Sequence, residues 1–544
     1  MKTLLLVLAL LNVLITQASP AFAPPHPSLW DYYYPKYPRA AGQDRPSFAP
    51  AHTAKRSSFQ TQINATGTRE ILLVPMAFTD ADISSPSATL LSQFIEYYRR
   101  VSGDRFIPSF VVAPKVTSVR TMSYYGADNF GIDTSTDHQI YEMAREAAQL
   151  LRNTSFNPAS YNLDKNGDGI VDHFMILHAG NAQEATGASN DIWSHMWEIG
   201  DDKPVSELLA AGLSVRNYTT FANTSPLGIM VHEFGHDIGW VDLYPTDRSP
   251  HFGAGNWCLM ALGCWNGPSY NGEEPSWPSA HCRYYAGWIN PTDITTQSGS
   301  FTLPRSETTD AIYRVSLSST EYFLLENRWI NVLGNQFGGM LIWHVDESVL
   351  SAGWAANSVN TNVNHKGVDL EEADNLSELD RMASKGNSGD PYPGSTQNHT
   401  FSPESSPSSE SYTTTLRSTV YIENIQTSGS SIAFTKRGSF AFWAGVFSHP
   451  LDENLLFITV TPSHTLDNNS LTASLTQGVT KSLNMYWITT SNVFQATCEI
   501  ADPDTAFNLF LRGVVGGATK EATISYTENT VKSSFLTAPG RDNQ

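Results

Sequence analysis

Four residues within one short stretch of the chain could carry out hydrolysis at a metal ion. His232 and His236 are four positions apart, so in a helix their imidazoles would project from the same face, one turn apart. Two imidazoles at this spacing can bind one zinc ion, and Glu233 is well placed to take a proton from a water in the open coordination position. Asp242 could supply a third ligand. The stretch therefore predicts a zinc-dependent hydrolase.

These side chains can meet only if a helix ends between the second histidine and the aspartate. We predict that helix over residues 226–238. Gly239 follows it and is the residue type that adopts the left-handed conformation of a helix end without a side-chain cost. The chain could then reverse and return Asp242 to the metal. Motifs of this kind also arise by chance in ordinary amphipathic helices, but Gly239 and Asp242 make that alternative the weaker one.

A methionine shortly after the motif has a candidate structural role. Residues 255–263 form an apolar stretch that begins and ends with glycine and contains Met260. In zinc peptidases of the metzincin type, a methionine in a tight turn forms an apolar floor beneath the metal. A methionine in an apolar run is usually ordinary core. Because Met260 follows the motif at a short distance, we favour the role of apolar floor beneath the metal for it.

The chain resembles the immune inhibitor A-like secreted metallopeptidases, a family related to the metzincins. Besides the motif, the similar segments are residues 71–80, 171–180, 257–267, 321–328, 339–347 and 389–393, which together span roughly residues 68–437. The resemblance implies an endopeptidase that cleaves proteins with a single catalytic zinc. It implies His232, His236 and Asp242 as ligands and Glu233 as the catalytic carboxylate.

The chain departs from the family pattern just after the helix. Trp240-Val241 stands where the family usually has Leu-Pro, and Pro245 stands where an acidic residue is common. These departures leave the ligand set intact and affect the geometry of the loop.

The sequence predicts an α+β fold in five segments. We expect a signal peptide at residues 1–18, a propeptide or N-terminal arm at 19–66, and a metzincin-like zinc peptidase domain with a helix-flanked sheet at 67–300. A β-rich part of the peptidase region would follow at 301–437, and a β-sandwich-like domain at 440–544.

Hydrophobic periodicity supports this division. It predicts strands at residues 71–78 and 173–178 and helices at 87–101 and 137–151. After residue 300 it predicts short strands at 311–317, 322–326, 340–345, 420–425, 455–461 and 483–489. The Ser/Thr/Pro/Gly-rich residues 382–418 between them predict a long surface loop.

Composition and targeting signals predict a secreted or lumenal protein. An apolar stretch at residues 4–15 follows Lys2 and precedes Ala18-Ser19, as in a cleavable signal peptide, and we expect no transmembrane segment. The net charge of −20 argues against nucleic acid and anionic membranes as partners, because both would repel the chain. Glycosylation triplets begin at Asn64, Asn153, Asn217, Asn223, Asn375, Asn398 and Asn468.

The four cysteines would tend to pair in such a compartment, and three of them crowd around Met260. We predict a disulfide bond that most simply joins Cys264 to Cys282. The alternative for Cys258 is a small buried hydrophobic residue.

The N-terminal arm could restrain the enzyme before secretion by placing a ligand on the zinc. That ligand would not be a thiolate, because no cysteine precedes Cys258. Asp31, Asp44 and His52 are the candidates, and the dibasic Lys55-Arg56 marks a possible end of the arm.

A second ion site is possible between the predicted helix and strand. Asp164, Asn166, Asp168 and Asp172 alternate as in the start of a calcium-binding loop, but Met175 stands where an EF-hand has its bidentate glutamate. The alternative is a turn rich in Asp and Asn that binds no ion.

Together these observations predict a zinc metalloendopeptidase that uses a zinc-activated water, with Glu233 as general base and acid and proteins or peptides as substrates. The main alternative is an inactive zinc-binding surface or adhesion glycoprotein on a peptidase scaffold. A zinc-dependent glycan or ester hydrolase is a further one. Oligomeric state is not predicted.

Overall fold

The computed structural model describes most of the chain between residues 21 and 542. The described residues are 21–29, 65–127, 138–199, 207–412, 418–437, 441–449, 452–462, 471–488, 493–501, 505–515, 518–526, 535–539 and 541–542. The signal peptide expected at residues 1–18 lies outside them. So do Asp31, Asp44, His52 and Lys55-Arg56, the candidate features of the N-terminal arm.

The first part of the chain contains nine strands and five α-helices among the described residues. The strands are β1 (Ala21–Phe22), β2 (Gly67–Ala77), β3 (Phe106–Val112), β4 (Val116–Thr117), β5 (Phe174–His178), β6 (His195–Glu198), β7 (Glu207–Ala210), β8 (Leu213–Val215) and β9 (Asn217–Ala222). The helices are α1 (Ala88–Ser102), α2 (Met122–Gly126), α3 (His138–Arg152), α4 (Gln183–Thr186) and α5 (Leu227–Asp237).

Seven of these strands form one mixed sheet in the order β1-β6-β9-β5-β2-β3, with β4 paired to β2. Strands β3, β4, β5 and β9 are joined to the sheet by parallel pairing, whereas β6 runs antiparallel to β9 and β1 runs antiparallel to β6. Strand β2 is apolar and buried from Ile71 onward, as a central strand covered on both faces must be. The predicted strands at 71–78 and 173–178 are thus confirmed within a few residues.

The two amphipathic helices predicted at residues 87–101 and 137–151 are also confirmed, as α1 and α3. Helix α1 begins at its N-cap Ser87, whose side chain accepts a hydrogen bond from the Leu90 N–H, and ends at Gly103 in the left-handed conformation. Phe94 and Tyr98 of α1 pack edge-on against Phe234 of α5, with ring centroids 5.2 and 5.1 Å apart. Helix α1 therefore supports the helix that carries the metal-binding motif.

The middle of the chain is built mainly from strands, as predicted. The elements are β10 (Thr292–Asp293), β11 (Gly299–Leu303), β12 (Tyr313–Ser316), β13 (Glu321–Val332), β14 (Asn335–Asp346), β15 (Val368–Leu370), β16 (Ile422–Ser428) and β17 (Ser431–Lys436), with helices α6 (Ala280–Tyr285) and α7 (Glu347–Gly353). Two sheets result, in the orders β10-β12-β13-β14-β15 and β11-β17-β16.

The long hairpin of β13 and β14 lies between two hydrophobic cores. Leu324 and Trp343 point into the core that also contains α5, whereas Phe323 and Ile342 point into a second core that is shared with β16 and β17. The alternation follows from the two-residue period of a strand. The core of the first part thus continues beyond residue 300, and a domain boundary there stays a prediction.

The surface loop predicted at residues 382–418 is corrected in part. The described residues of this segment form no helix or strand longer than isolated bridges, but Tyr392 and Phe401 are fully buried in the second core. Two aromatic side chains widely spaced in a polar stretch leave no periodic pattern, so the sequence did not indicate their burial.

The last part of the chain consists of strands among the described residues. They are β18 (Ala441–His449), β19 (Asp452–Pro462), β20 (Thr472–Gln477), β21 (Val479–Leu483), β22 (Tyr486–Ile488), β23 (Val493–Glu499), β24 (Phe507–Val515), β25 (Ala518–Tyr526), β26 (Phe535–Pro539) and β27 (Arg541–Asp542). They form two antiparallel sheets, β22-β23-β19-β18-β26 and β21-β20-β24-β25-β27. Both sheets contribute to one hydrophobic core, which includes Ile458 and Leu509. That this part forms a separate β-sandwich-like domain stays a prediction.

No helix in the described ranges is long and apolar enough to cross a membrane.

Candidate metal centre

Helix α5 carries the motif and is buried along its whole length. It starts after Pro226 and ends at Asp237, one residue inside each predicted end. Gly239 follows with φ of +100°, a conformation that few other residues adopt. A Cβ on Gly228 would lie 1.7 Å from the carbonyl oxygen of Cys264, so a side chain there would force the helix away from the turn at Leu262–Trp265.

The chain reversal brings the three predicted ligands together. The Nε2 atoms of His232 and His236 are 3.2 Å apart, and the Asp242 Oδ1 atom lies 3.3 and 3.2 Å from them. A tetrahedral centre with bonds of about 2.0–2.1 Å has ligand atoms about 3.3 Å apart. All three side chains are buried. The three atoms are therefore spaced as ligands of a single small cation.

The hydrogen bonds of the two imidazoles show which atoms face the centre. His232 Nδ1 is 2.8 Å from the Leu259 carbonyl oxygen, and His236 Nδ1 is 2.9 Å from that of Trp240. A carbonyl only accepts, so each Nδ1 carries the proton and donates it. In its neutral form, each ring then presents an Nε2 lone pair to the other ring and to the Asp242 carboxylate. Three electron-pair donors in contact repel one another unless a cation lies between them, so this donor set fits a metal ion.

Asn357 holds the third ligand in place and was not anticipated from the sequence. Its Nδ2 donates to Asp242 Oδ2 at 2.5 Å, and its Oδ1 accepts the Asp242 N–H at 2.8 Å. These two bonds orient the carboxylate with Oδ1 toward the histidines. Asn357 lies 115 residues after Asp242 in a segment without a recognisable motif, so only its approach in space reveals this role.

Glu233 is fully buried beside the three ligands. Neither of its carboxylate oxygens has a hydrogen-bond partner among the described residues. Burial raises the pKa of Glu233 well above its ordinary value, and the negative charges of Asp242 and Glu184 raise it further. A buried carboxylate whose oxygens are free is suited to accept a proton from a small reactant.

Glu184, on the short helix α4, is a second acidic group at the site that the sequence did not indicate. Its Oε2 accepts the Ser194 N–H at 3.0 Å, and burial raises its pKa to about 7. Its charge acts on both His232 and Glu233.

Met260 packs directly under the motif helix. A Cβ on Gly235 would lie 2.7 Å from the Met260 sulfur, and the Met260 carbonyl oxygen accepts the Leu243 N–H at 2.7 Å. The stretch before it is anchored by Arg328, whose Nη1 donates to the Trp257 carbonyl oxygen at 2.8 Å. This position agrees with the apolar floor expected of Met260, a role that stays a prediction.

The predicted disulfide bond between Cys264 and Cys282 is absent, because all four thiols are free and buried. Cys282 instead forms a hydrogen bond with Cys258, and Ser279 contacts both sulfurs at 3.3 Å. The Cys264 thiol has other neighbours: burial and then the charge of Glu233 raise its pKa well above the ordinary value. Crowding in sequence around a turn does not decide which thiols face one another.

Part of the N-terminal arm is docked on the first sheet. In β1, Ala21 pairs with Met196 and Phe22 with His195, which extends the sheet beyond β6. The Ala23 N–H continues this pairing with a hydrogen bond of 3.1 Å to the Ser194 carbonyl oxygen. The arm therefore occupies an edge that would otherwise present unpaired backbone groups.

Side chains of the catalytic part hold the rest of the described arm. The Trp193 indole donates to the Ala23 carbonyl oxygen at 2.8 Å, and the Trp265 indole donates to that of Pro24 at 3.0 Å. The His26 N–H donates to the Glu184 carbonyl oxygen at 2.7 Å. The arm thus reaches the residue whose charge acts on the metal-binding group.

The loop considered for calcium has its oxygens occupied by its own backbone. Asp164 accepts hydrogen bonds from the N–H groups of Gly167, Asp168 and Gly169. Asn166, Asp168 and Asp172 likewise accept bonds from N–H groups inside the loop. Among the described residues, the groups arranged to hold a cation lie elsewhere. These contacts favour the turn over the ion site.

Comparison with known proteins agrees with this geometry. Residues 68–288 match the family described as immune inhibitor A peptidase M6, catalytic domain. The pre-pro-metalloprotease PrtV of Vibrio cholerae serotype O1 (strain M66-2) is 29% identical over 252 residues, 40% of this chain and 27% of that protein. Immune inhibitor A of Bacillus thuringiensis subsp. alesti is 28% identical over 220 residues, 35% of this chain and 31% of that protein.

The chain thus spans less than a third of the length of these curated relatives. The matched segment contains His232, Glu233, His236, Asp242 and Met260, and it ends close to α6. The sequence of residues 68–288 is therefore similar to the catalytic domain of the peptidase M6 (immune inhibitor A) family.

Proposed function

We propose that this protein is a zinc-dependent endopeptidase with a single catalytic metal. The observation that carries the proposal is the contact of three electron-pair donors, His232, His236 and Asp242, beside the unpartnered carboxylate of Glu233. Two imidazoles and one carboxylate form a three-ligand set of the kind used by catalytic zinc sites, which leave a coordination position open.

The reaction would use the residues in separate roles. Bound zinc supplies a Lewis acid for the scissile carbonyl and lowers the pKa of water toward about 7. Glu233 takes a proton from the attacking water and passes it to the leaving amine nitrogen. The hydrogen bonds from His232 and His236 to backbone carbonyls keep their Nε2 atoms directed at the centre. No covalent bond to the protein is required.

Substrates would be proteins or peptides in an extended conformation. Strand β6 lies next to α5 and runs antiparallel to β9. On its other side it pairs with β1, an extended segment of this chain. An extended substrate could add to the same edge through main-chain hydrogen bonds, as in other cases of strand addition.

We also propose that the protein is secreted, in line with its predicted signal peptide. The predicted glycosylation sites Asn153, Asn223 and Asn375 are exposed. At Asn398 the side-chain nitrogen donates to the Ala373 carbonyl oxygen at 2.7 Å, which leaves it unsuited to carry a glycan.

The first prediction concerns Glu233. We expect Glu233→Gln to retain bound zinc and to lose about 10²- to 10⁴-fold in the rate of casein cleavage, because the proton acceptor is removed while the ligands stay. The measurement is casein proteolysis together with zinc content per chain. Glu96→Gln, the same change on the exposed face of α1, is the matched control and should cleave as the parent does.

The outcomes separate the alternatives. Loss of zinc in Glu233→Gln would make that residue structural. Zinc in both proteins with cleavage by neither would favour a latent zymogen or a zinc-binding adhesion protein, and turnover of an ester or glycan without peptide cleavage would favour a different hydrolase.

A further inference from the structure

A second cluster of acidic side chains lies in the segment between β15 and β16. Glu372, Asp374 and Asp390 each contribute a carboxylate oxygen, and these oxygens all lie within 4.8 Å of one another. Glu372 is 6% and Asp390 1% exposed, and Asp374 is half-buried. Three carboxylates so close together in a buried place repel one another strongly.

The described neighbours of this cluster form no ion pair with it. Among the described residues, no Lys or Arg forms an ion pair with Glu372, Asp374 or Asp390. The nearby Lys366 is paired with Asp369 and Asp380 instead, at 2.7 and 2.6 Å. The negative charge of the cluster is thus not balanced by this part of the chain.

The hydrogen bonds of the cluster leave one buried oxygen unsatisfied. Glu372 accepts backbone N–H groups at both oxygens, and Asp390 Oδ2 accepts the Trp257 indole N–H at 2.6 Å. Asp390 Oδ1 has no partner in the described ranges, although its side chain is almost fully buried. A buried carboxylate oxygen without a partner carries a large desolvation cost, so it is a place where a bound group is expected.

The backbone is shaped so that the carboxylates can approach. A Cβ on Gly389 would lie 2.2 Å from Asp374 Oδ2, so only glycine leaves room for that oxygen. The loop at residues 164–172 differs, because Asp164 and Asp168 there accept hydrogen bonds from that loop's own N–H groups. The cluster of Glu372, Asp374 and Asp390 has a buried oxygen without a partner among the described residues, and that loop has none.

We propose that Glu372, Asp374 and Asp390 bind one Ca²⁺ ion. Calcium prefers carboxylate oxygens, tolerates irregular geometry and completes its shell with waters and carbonyl oxygens. The ion would be separate from the catalytic metal and would bind whether or not the protein cleaves peptides.

The proposed ion would lie in a segment that contacts the residues before Met260. Asp390 contacts Trp257, which lies three residues before Met260. The same two segments are linked by backbone bonds from Asn256 N–H to Lys385 O at 2.7 Å and from Phe252 N–H to Leu379 O at 2.9 Å. Binding of the ion would therefore stabilise the segment that leads into the Met260 turn.

The test uses terbium as a luminescent substitute for calcium. The full chain, loaded with zinc and freed of calcium, should bind one Tb³⁺ per chain. Its luminescence on tryptophan excitation should be strong, because the Trp257 indole is bonded to a proposed ligand. Added Ca²⁺ should displace the Tb³⁺ and remove the luminescence, and Ca²⁺ should raise the thermal unfolding midpoint.

Two variants locate the site. Asp374→Asn, a change of equal size at the half-buried ligand, should weaken Ca²⁺ binding about tenfold or more, because ligand charge sets the affinity of calcium sites. Asp168→Asn, the same change in the loop at residues 164–172, is the matched control and should bind as the parent does. At a Tb³⁺ concentration that saturates the site, Trp257→Phe should lose most of the luminescence, because the nearby indole is removed.

Several results would overturn the proposal. A parent chain that binds neither Ca²⁺ nor Tb³⁺ excludes the site without any variant. Undiminished binding by a folded Asp374→Asn chain, or loss of binding in Asp168→Asn, places the ion elsewhere. Circular dichroism establishes that each variant is folded, and casein cleavage is not part of the readout, so failure of the proposed peptidase function would be seen separately.

Discussion

At the scale of single residues, the metal centre depends on how lone pairs are directed. His232 and His236 use their Nδ1 protons on backbone carbonyl oxygens, which leaves both Nε2 atoms free to bind a cation. Asp242 is oriented in a comparable way by Asn357, through one bond to its side chain and one to its backbone. The ligands are therefore held in position before any metal binds, which lowers the cost of ordering them.

The second prediction tests Asn357 as a positioning residue. Asn357 has φ of +50°, so glycine can replace it without backbone strain while removing the amide. We expect Asn357→Gly to weaken zinc binding by about 10- to 100-fold, as loss of a hydrogen bond to a metal ligand typically does. Zinc affinity measured by competition with a chelator is the readout.

Asn424→Gly is the matched control, since Asn424 is exposed and has φ of +53° but lies in β16. Its zinc affinity should equal that of the parent. Equal affinity in Asn357→Gly would show that Asp242 needs no support from the amide.

At the scale of elements, helix α5 lies next to strand β6, the strand proposed to pair with an extended substrate. Helix α5 sits close to the turn at Leu262–Trp265 because Gly228 has no side chain. Strand β6 is paired with β1 of the N-terminal arm, whose next residues reach Glu184 through the His26 backbone. The arm thus occupies the edge where an extended substrate would bind, and we propose that it restrains the enzyme.

The third prediction tests this restraint. A form of the protein that begins at Ser57 lacks β1, so we expect it to cleave peptides faster than the full chain does. A synthetic peptide of residues 21–29 should inhibit the shortened form, because it can pair with β6 again. The measurement is the initial rate of cleavage of a fluorogenic peptide.

A scrambled peptide of the same composition serves as control and should not inhibit. The shortened form with Glu233→Gln should stay inactive. If shortening the chain leaves the rate unchanged, the arm is a structural strand without a regulatory role.

At the scale of the whole molecule, the β13–β14 hairpin connects two hydrophobic cores, and a buried ionic group stabilises its end. His344 Nε2 lies 2.8 Å from Glu321 and its Nδ1 lies 2.9 Å from Glu371, while the ring stacks on Tyr412 at 4.2 Å. Burial by itself would lower the pKa of His344, but these two carboxylates raise it to about 9. The protonated ring therefore joins β13, β14 and two later segments near neutral pH.

The fourth prediction is a dependence of stability on pH. The folded-state pKa of His344 is about 9, against an ordinary value of 6.5, so its stabilising contribution is complete below about pH 6.5 and is lost as pH rises toward 9. We expect the free energy of unfolding to fall by up to a few kcal/mol over this interval. Denaturant unfolding at several pH values measures it.

The variant His344→Gln should be less stable at pH 6.5 and should lack most of this decline, whereas the exposed His399→Gln should retain it. An identical decline in His344→Gln would assign the pH dependence to other groups.

Glu321 should affect stability at acidic pH. Hydrogen bonds from His344, Ser411 and Tyr412 outweigh its burial and lower its pKa to about 2. Its contribution is present above about pH 4.5 and is lost as pH falls toward 2.

The sequence by itself was enough to locate the candidate metal ligands and the elements that carry them. The spacing of His232 and His236, with Gly239 after the helix, predicted α5 to within one residue at each end. Apolar periodicity predicted β2, β5, α1 and α3 within a few residues. These features depend on local spacing along the chain, which a sequence displays directly.

Tertiary structure alone decided which distant groups meet. Three contacts join segments that are far apart in sequence or show no pattern. Asn357 lies beside Asp242, Cys258 rather than Cys264 lies beside Cys282, and β1 lies beside β6. The cluster of Glu372, Asp374 and Asp390 likewise forms only because a chain reversal returns Asp390 to the others. Such contacts follow from the packing of whole elements, and the spacing of residues along the chain carries no record of them.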